Sequence, residues 1–133
     1  MASLTTITDF AALKSADRKI SMLTAYDYGL ARVLDESGVD GILVGDTVGV
    51  VVQGHANTLP VTLDQIIYHA EMVGRAVERA LVVVDLPFPA QFLGTETLIA
   101  NAARVLKESA AQAVKLESSA ADAAAISALT AAG

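Results

Sequence analysis

Two kinds of run alternate along the chain. Residues 20–25 (ISMLTA), 41–44 (GILV), 80–84 (ALVVV) and 113–116 (AVKL) are short and mostly apolar or β-branched. All but the first are nearly continuous rather than alternating, which suits strands covered on both faces. Between them apolar residues recur at helical spacing. Residues 28–37 put Leu30, Val33 and Leu34 on one face, and residues 62–78 group Ile66, Ile67, Ala70, Val73 and Val77. Residues 95–109 group Leu98, Ala102, Val105 and Leu106, and residues 120–132 form an Ala-rich helix with Ile126 and Leu129 inward. A short extra helix is predicted over residues 8–15.

The boundaries agree with these elements. Thr62, followed three residues later by Gln65, has the pattern of an N-cap with a reciprocal amide. Gly38 and Gly133 stand at helix ends, where a left-handed residue is useful. The order is α, then β-α four times, in one domain over residues 1–133. Alternating units predict a parallel sheet.

Composition narrows the function. With 53% hydrophobic and 18% charged residues, the chain is not a disordered polar tail. A net charge of −6 argues against a nucleic-acid partner, since nothing would neutralise a run of phosphates. The absence of Cys excludes disulfides, thiolate metal sites and cysteine nucleophiles. Residues 1–19 show no secretory pattern, and no apolar stretch reaches the ~20 residues of a membrane span. A cytoplasmic protein with no membrane partner is expected.

Parallel α/β sheets bind ligands at the carboxyl ends of their strands. Each of the four predicted strands ends on an acid: Asp27, Asp46, Asp85 and Glu117. Lys115 lies two residues before Glu117, on the same side of its strand. Any one of these has a structural explanation; Asp27 can simply cap the helix that follows. Several carboxylates on one rim repel unless a cation sits among them. Hard oxygen ligands point to Mg²⁺ or a similar ion. Residues 45–62 (GDTVGVVVQGHANTLPVT) are a long Gly-rich connection of the kind that borders active sites. Its His55, and His69 on the next helix, fit loop-surface and packing roles better than catalysis.

The segments MLTAYDY (22–28), ILVGDTVG (42–49), GHANTLPVTL followed by IIYH (54–69), VVDLPF (83–88) and AVKLE (113–117) together resemble the ketopantoate hydroxymethyltransferase family. The resemblance implies a (βα)₈ TIM barrel, of which this chain supplies about four βα units, a half barrel, plus the short N-terminal helix. It implies Mg²⁺ held by Asp46, Asp85 and Glu117. It implies a 2-oxoacid substrate contacted by Asp46, Thr47, Asp85 and Lys115, with 5,10-methylenetetrahydrofolate as co-substrate. The implied reaction stabilises an enolate of 3-methyl-2-oxobutanoate on the metal. The enolate then takes up a one-carbon unit to give 2-dehydropantoate, in pantothenate biosynthesis.

Ser118-Ser119 stands where the family usually has a Gly-Gly turn. A (βα)₈ barrel takes ~250 residues, so the family's general base is expected beyond Gly133 and no catalytic residue is assigned. Without that base the chain alone is expected to be inactive, and its unpaired strand edges make a homo-oligomer the expectation. Three other classes fit parts of the pattern. One is a Mg-dependent barrel of the phosphoenolpyruvate-mutase/isocitrate-lyase group. Another is a doubly wound receiver-like module, and the third is a non-catalytic half barrel.

Overall fold

A computed structural model describes residues 4–133. The first three residues of the predicted signal-free N-terminus lie outside that range. The elements run α1 (Ile7–Leu13), β1 (Met22–Thr24), α2 (Tyr28–Glu36), β2 (Gly41–Val44), α3 (Val48–Val51), α4 (Leu63–Ala76), β3 (Leu81–Asp85), α5 (Thr95–Glu108), β4 (Ala113–Lys115) and α6 (Ala123–Ala131). Short 3₁₀ turns precede α5 (Ala90–Phe92) and α6 (Ala120–Asp122).

The four strands form one parallel sheet in the order β1-β2-β3-β4. A doubly wound sheet reverses its strand order at a switch point. This sheet never reverses, which rules out the receiver-like alternative and matches four consecutive strands of a (βα)₈ barrel.

Each strand separates two environments, because side chains alternate across it. Ile42, Val44, Val82 and Val84 face the helices and are almost wholly buried. Ile66, Ala70 and Val73 of α4 and Leu98, Ala102 and Val105 of α5 complete that core. The opposite face carries Thr24, Leu43, Val83, Asp85 and Lys115, and it is more open toward β1 and β4. The residues predicted to place chemistry at the rim are therefore on the less covered side of the sheet.

Local chemistry fixes the joints. Thr62 and Gln65 form the predicted reciprocal cap of α4, and Thr6 with Asp9 does the same for α1. Asp40 ties the start of β2 to the start of β1, accepting bonds from the Ser21 N–H (2.8 Å) and hydroxyl (2.9 Å) and pairing with Arg18. Asp35 of α2 is only 3% exposed. Its carboxylate accepts from the N–H groups of Glu78 (3.0 Å), Arg79 (3.2 Å) and Ala80 (2.8 Å), anchoring the entry into β3.

Several expectations need correction. The connection over residues 45–62 is not all loop, since it contains α3. Leu30 and Val33 are not inward: Val33 is 58% exposed, and α2 buries Ala31 and Asp35 instead. Ile126 of α6 and Leu106 of α5 are also exposed. Helical spacing identifies residues that share a face; it does not say what covers that face. β1 is an edge strand with Met22 and Leu23 open to solvent, and nothing among the described residues covers Leu30 and Val33 of α2.

Candidate active site

The site is built on two register partners. Asp85, the last residue of β3, lies opposite Lys115, the last residue of β4. The Lys115 ammonium pairs with Asp85 Oδ2, and its Nζ lies 3.7 Å from Glu117 Oε1. The predicted same-side placement of Lys115 and Glu117 is thus observed. Gly45 lies against Asp85 from the β2 side: a methyl group there would sit in ordinary contact, 3.4 Å from Asp85 Cβ and 3.8 Å from Oδ2.

Asp85 is 8% exposed. Burial pushes its carboxyl above the ordinary carboxylate range, and the Lys115 ammonium opposes that rise. The negative charges of Glu117 and Asp46 add to it, so all three carboxylates share one electrostatic neighbourhood. Asp85 Oδ1 is buried without a hydrogen-bond partner. Among the described residues no three acids or histidines are clustered closely enough to cage a metal unaided. The donor set nevertheless fits a hard cation. An orphaned carboxylate oxygen, with two further carboxylates acting on it, is the arrangement a divalent ion relieves.

Asp46 and Thr47 follow Gly45 directly and lead into α3. Thr47 takes the N-cap position, yet its side chain makes no capping bond, which leaves the hydroxyl available. The Tyr26 phenol lies beside it. Burial raises the Tyr26 pKa, the Thr47 hydroxyl opposes that, and the Asp46 charge adds to the rise. Gly49 keeps α3 close to the start of α4: a methyl group there would come within 2.5 Å of buried Val61.

The other sequence candidates fall elsewhere. Asp27 caps α2, accepting from the Leu30 N–H at 2.9 Å, and so follows its structural reading. His55 is exposed in the loop after α3. His69 packs as expected, but it also makes a bond that its position in a helix could not reveal, at 2.7 Å to the Tyr26 carbonyl. Ser118 and Ser119 do not need the left-handed region: no non-glycine residue among those described has a positive φ. Ser119 caps the 3₁₀ turn that follows it.

A half set of parallel strands, with acids and a lysine at their carboxyl ends, defines a barrel-type α/β protein with a polar rim. Solved structures agree on the fold. Phosphoenolpyruvate phosphomutase from Streptomyces platensis subsp. rosaceus superposes with a TM-score of 0.74 at 18% identity, over 96% of this chain and 49% of that one. 2,3-Dimethylmalate lyase, a PEP mutase/isocitrate lyase superfamily member, gives 0.70 at 21% identity, over 92% and 46%. Phosphonopyruvate hydrolase, solved with oxalate and Mg²⁺, gives 0.74 at 15%, over 92% and 46%.

Residues 4–133 match the family model for ketopantoate hydroxymethyltransferase, and the chain belongs to that family. It is 58% identical over 121 residues to 3-methyl-2-oxobutanoate hydroxymethyltransferase of Rhodopirellula baltica, covering 91% of this chain and 45% of that protein. Its identity to the same enzyme of Magnetococcus marinus is 51%, over 93% of this chain and 46% of the relative. The chain thus spans less than half the length of these relatives.

Proposed function

We propose that this chain carries the metal- and 2-oxoacid-binding part of a 3-methyl-2-oxobutanoate hydroxymethyltransferase. The whole enzyme would transfer a one-carbon unit from 5,10-methylenetetrahydrofolate to 3-methyl-2-oxobutanoate, giving 2-dehydropantoate. The observation that carries the reading is the ion pair of buried Asp85 with exposed Lys115, one Asp85 oxygen being left unpartnered, in a chain of this family. Asp46, Asp85 and Glu117 would hold Mg²⁺. When bound, that ion supplies Lewis-acid polarisation of the 2-oxoacid carbonyl.

The remaining roles belong to side chains. Lys115 is a compact cation with three N–H donors, two of them free to turn from Asp85 toward a substrate carboxylate. Thr47 offers a hydroxyl with no helix-capping duty. Asp85, on the floor of the site, holds Lys115 in place. We assign the base that removes the C3 proton to none of these residues, so turnover by this chain alone is not part of the reading. A cytoplasmic setting and self-association go with it.

The test is calorimetric titration of Mg²⁺ into the wild-type chain, Asp46→Asn and Asp85→Asn. Saturable binding that weakens at least tenfold in both variants supports the assignment. Equal affinity in all three removes it.

A further inference from the structure

We propose that Gly45 sets the specificity of the site: the space left by its missing side chain, floored by Leu43 and Val83, seats the branched alkyl end of the 2-oxoacid. This rests on the 2-oxoacid reading above.

Nothing in the protein itself calls for a glycine at this position. Other glycines have a clear cause. Gly38, Gly54, Gly94 and Gly133 have positive φ. A methyl group at Gly49 or Gly74 would come within 2.5 Å of Val61 or Ala110, and one at Gly41 within 3.2 Å of the Phe10 ring. Gly45 is buried directly after β2, and its φ is not positive. A methyl group there would meet only Asp85 within 4 Å, at ordinary contact distance. Neither backbone nor packing excludes a side chain. A glycine costs conformational entropy on folding, and it is typical where a ligand approaches the backbone closely.

The register places this space in the row that carries the chemistry. Val44 pairs with Val84, so Gly45 lies beside Asp85, and Lys115 lies on the other side of Asp85. The space at Gly45 and the Lys115 ammonium flank the same oxygen, Asp85 Oδ2. One short 2-oxoacid can therefore place its carboxylate on Lys115 and its alkyl carbon at Gly45. Asp85 Oδ1, buried without a partner, is an independent sign that this row receives a ligand. One step down the strands, on the same face, Leu43 pairs with Val83 and Val83 with Ala113. The floor is thus apolar, while the walls above it carry charge.

The experiment titrates 3-methyl-2-oxobutanoate and pyruvate, each in saturating Mg²⁺, into the full chain by calorimetry, alongside melting curves. The branched acid carries two more carbons, and wild type should bind it about tenfold more tightly than pyruvate. Gly45→Ala fills the space and should weaken the branched acid about tenfold or more, with pyruvate held within about threefold. It should melt no lower than wild type. Val83→Thr puts a hydroxyl in the floor and should cut the preference for the branched acid about threefold. A Gly45→Ala chain that keeps the wild-type preference, or that weakens both acids equally, overturns the inference while leaving the substrate reading intact. So does one that melts below wild type, since the glycine would then serve the fold. A wild-type chain that binds neither acid overturns both.

Discussion

Asp85 and Lys115 are direct register partners across β3 and β4, and their side chains meet as an ion pair on the open face of the sheet. Register brings their Cα atoms side by side, so neither residue needs a flexible loop to find the other. The pair leaves Asp85 under-satisfied, since one oxygen is buried without a partner and two further acids lie near it. That tension suits a group that acquires a ligand.

The tension has a pH consequence. The Asp85 carboxyl is raised in the folded chain, first by burial. Between its unfolded and folded pKa values the native state therefore holds more protons than the unfolded state, and stability falls as pH rises through that window. The loss is complete above the raised value. Asp40 works in the opposite sense: the Ser21 N–H lowers its carboxyl, and that contribution disappears as pH falls. In metal-free buffer Asp85→Asn should therefore melt above wild type at neutral pH, and the gap should close on acidification. Melting curves across the pH range check this; a variant that melts lower than wild type at neutral pH contradicts it.

Asp35 is the structural counterpart, a buried acid fully occupied by three N–H donors. Asp35→Ala leaves those donors unmet and should cost about 3 kcal/mol. Asp35→Asn, which keeps one accepting oxygen, should cost less. Urea denaturation reads both, with the midpoint falling and the slope unchanged. An unaltered midpoint in Asp35→Ala would show that water replaces the carboxylate at no cost.

The apolar residues of β1 and the adjoining face of α2 should drive self-association of the 133-residue polypeptide. Leu23 is 51% exposed beside an unpaired strand edge, and Leu30 and Val33 of α2 are exposed as well. Open edges with apolar neighbours recruit other chains. A Leu23→Lys/Val33→Glu double variant should shift the light-scattering mass toward the monomer without lowering the melting temperature, since both side chains are already exposed. A wild-type chain that is already monomeric counts against this.

Much of this was legible in the sequence. β2 and β3 are continuous apolar runs, and the Thr62/Gln65 pattern located the start of α4. The alternation of Lys115 and Glu117 put them on one side of β4. What was hidden depends on partners distant in sequence. The pairing of Lys115 with Asp85 needs the β3–β4 register. The three-donor cradle of Asp35 needs the loop entering β3, and the His69–Tyr26 bond joins residues 43 positions apart. α3 is not legible in the sequence because a short Val-rich segment has no period that separates helix from strand. The outward turn of Leu30 and Val33 is not written in their spacing, which fixes a shared face but not what covers it.

The most direct measurement is the affinity of the wild-type chain and of Lys115→Ala for 3-methyl-2-oxobutanoate in saturating Mg²⁺, with circular dichroism as the fold control. Lys115 loses no core packing on truncation, because its side chain is 44% exposed. Loss of a charged donor to a carboxylate is worth on the order of tenfold or more in affinity. Wild type should bind saturably and Lys115→Ala at least tenfold more weakly with an unchanged spectrum. Equal affinity in the two folded chains would show that Lys115 only neutralises Asp85 and that the rim between β3 and β4 is not the 2-oxoacid site.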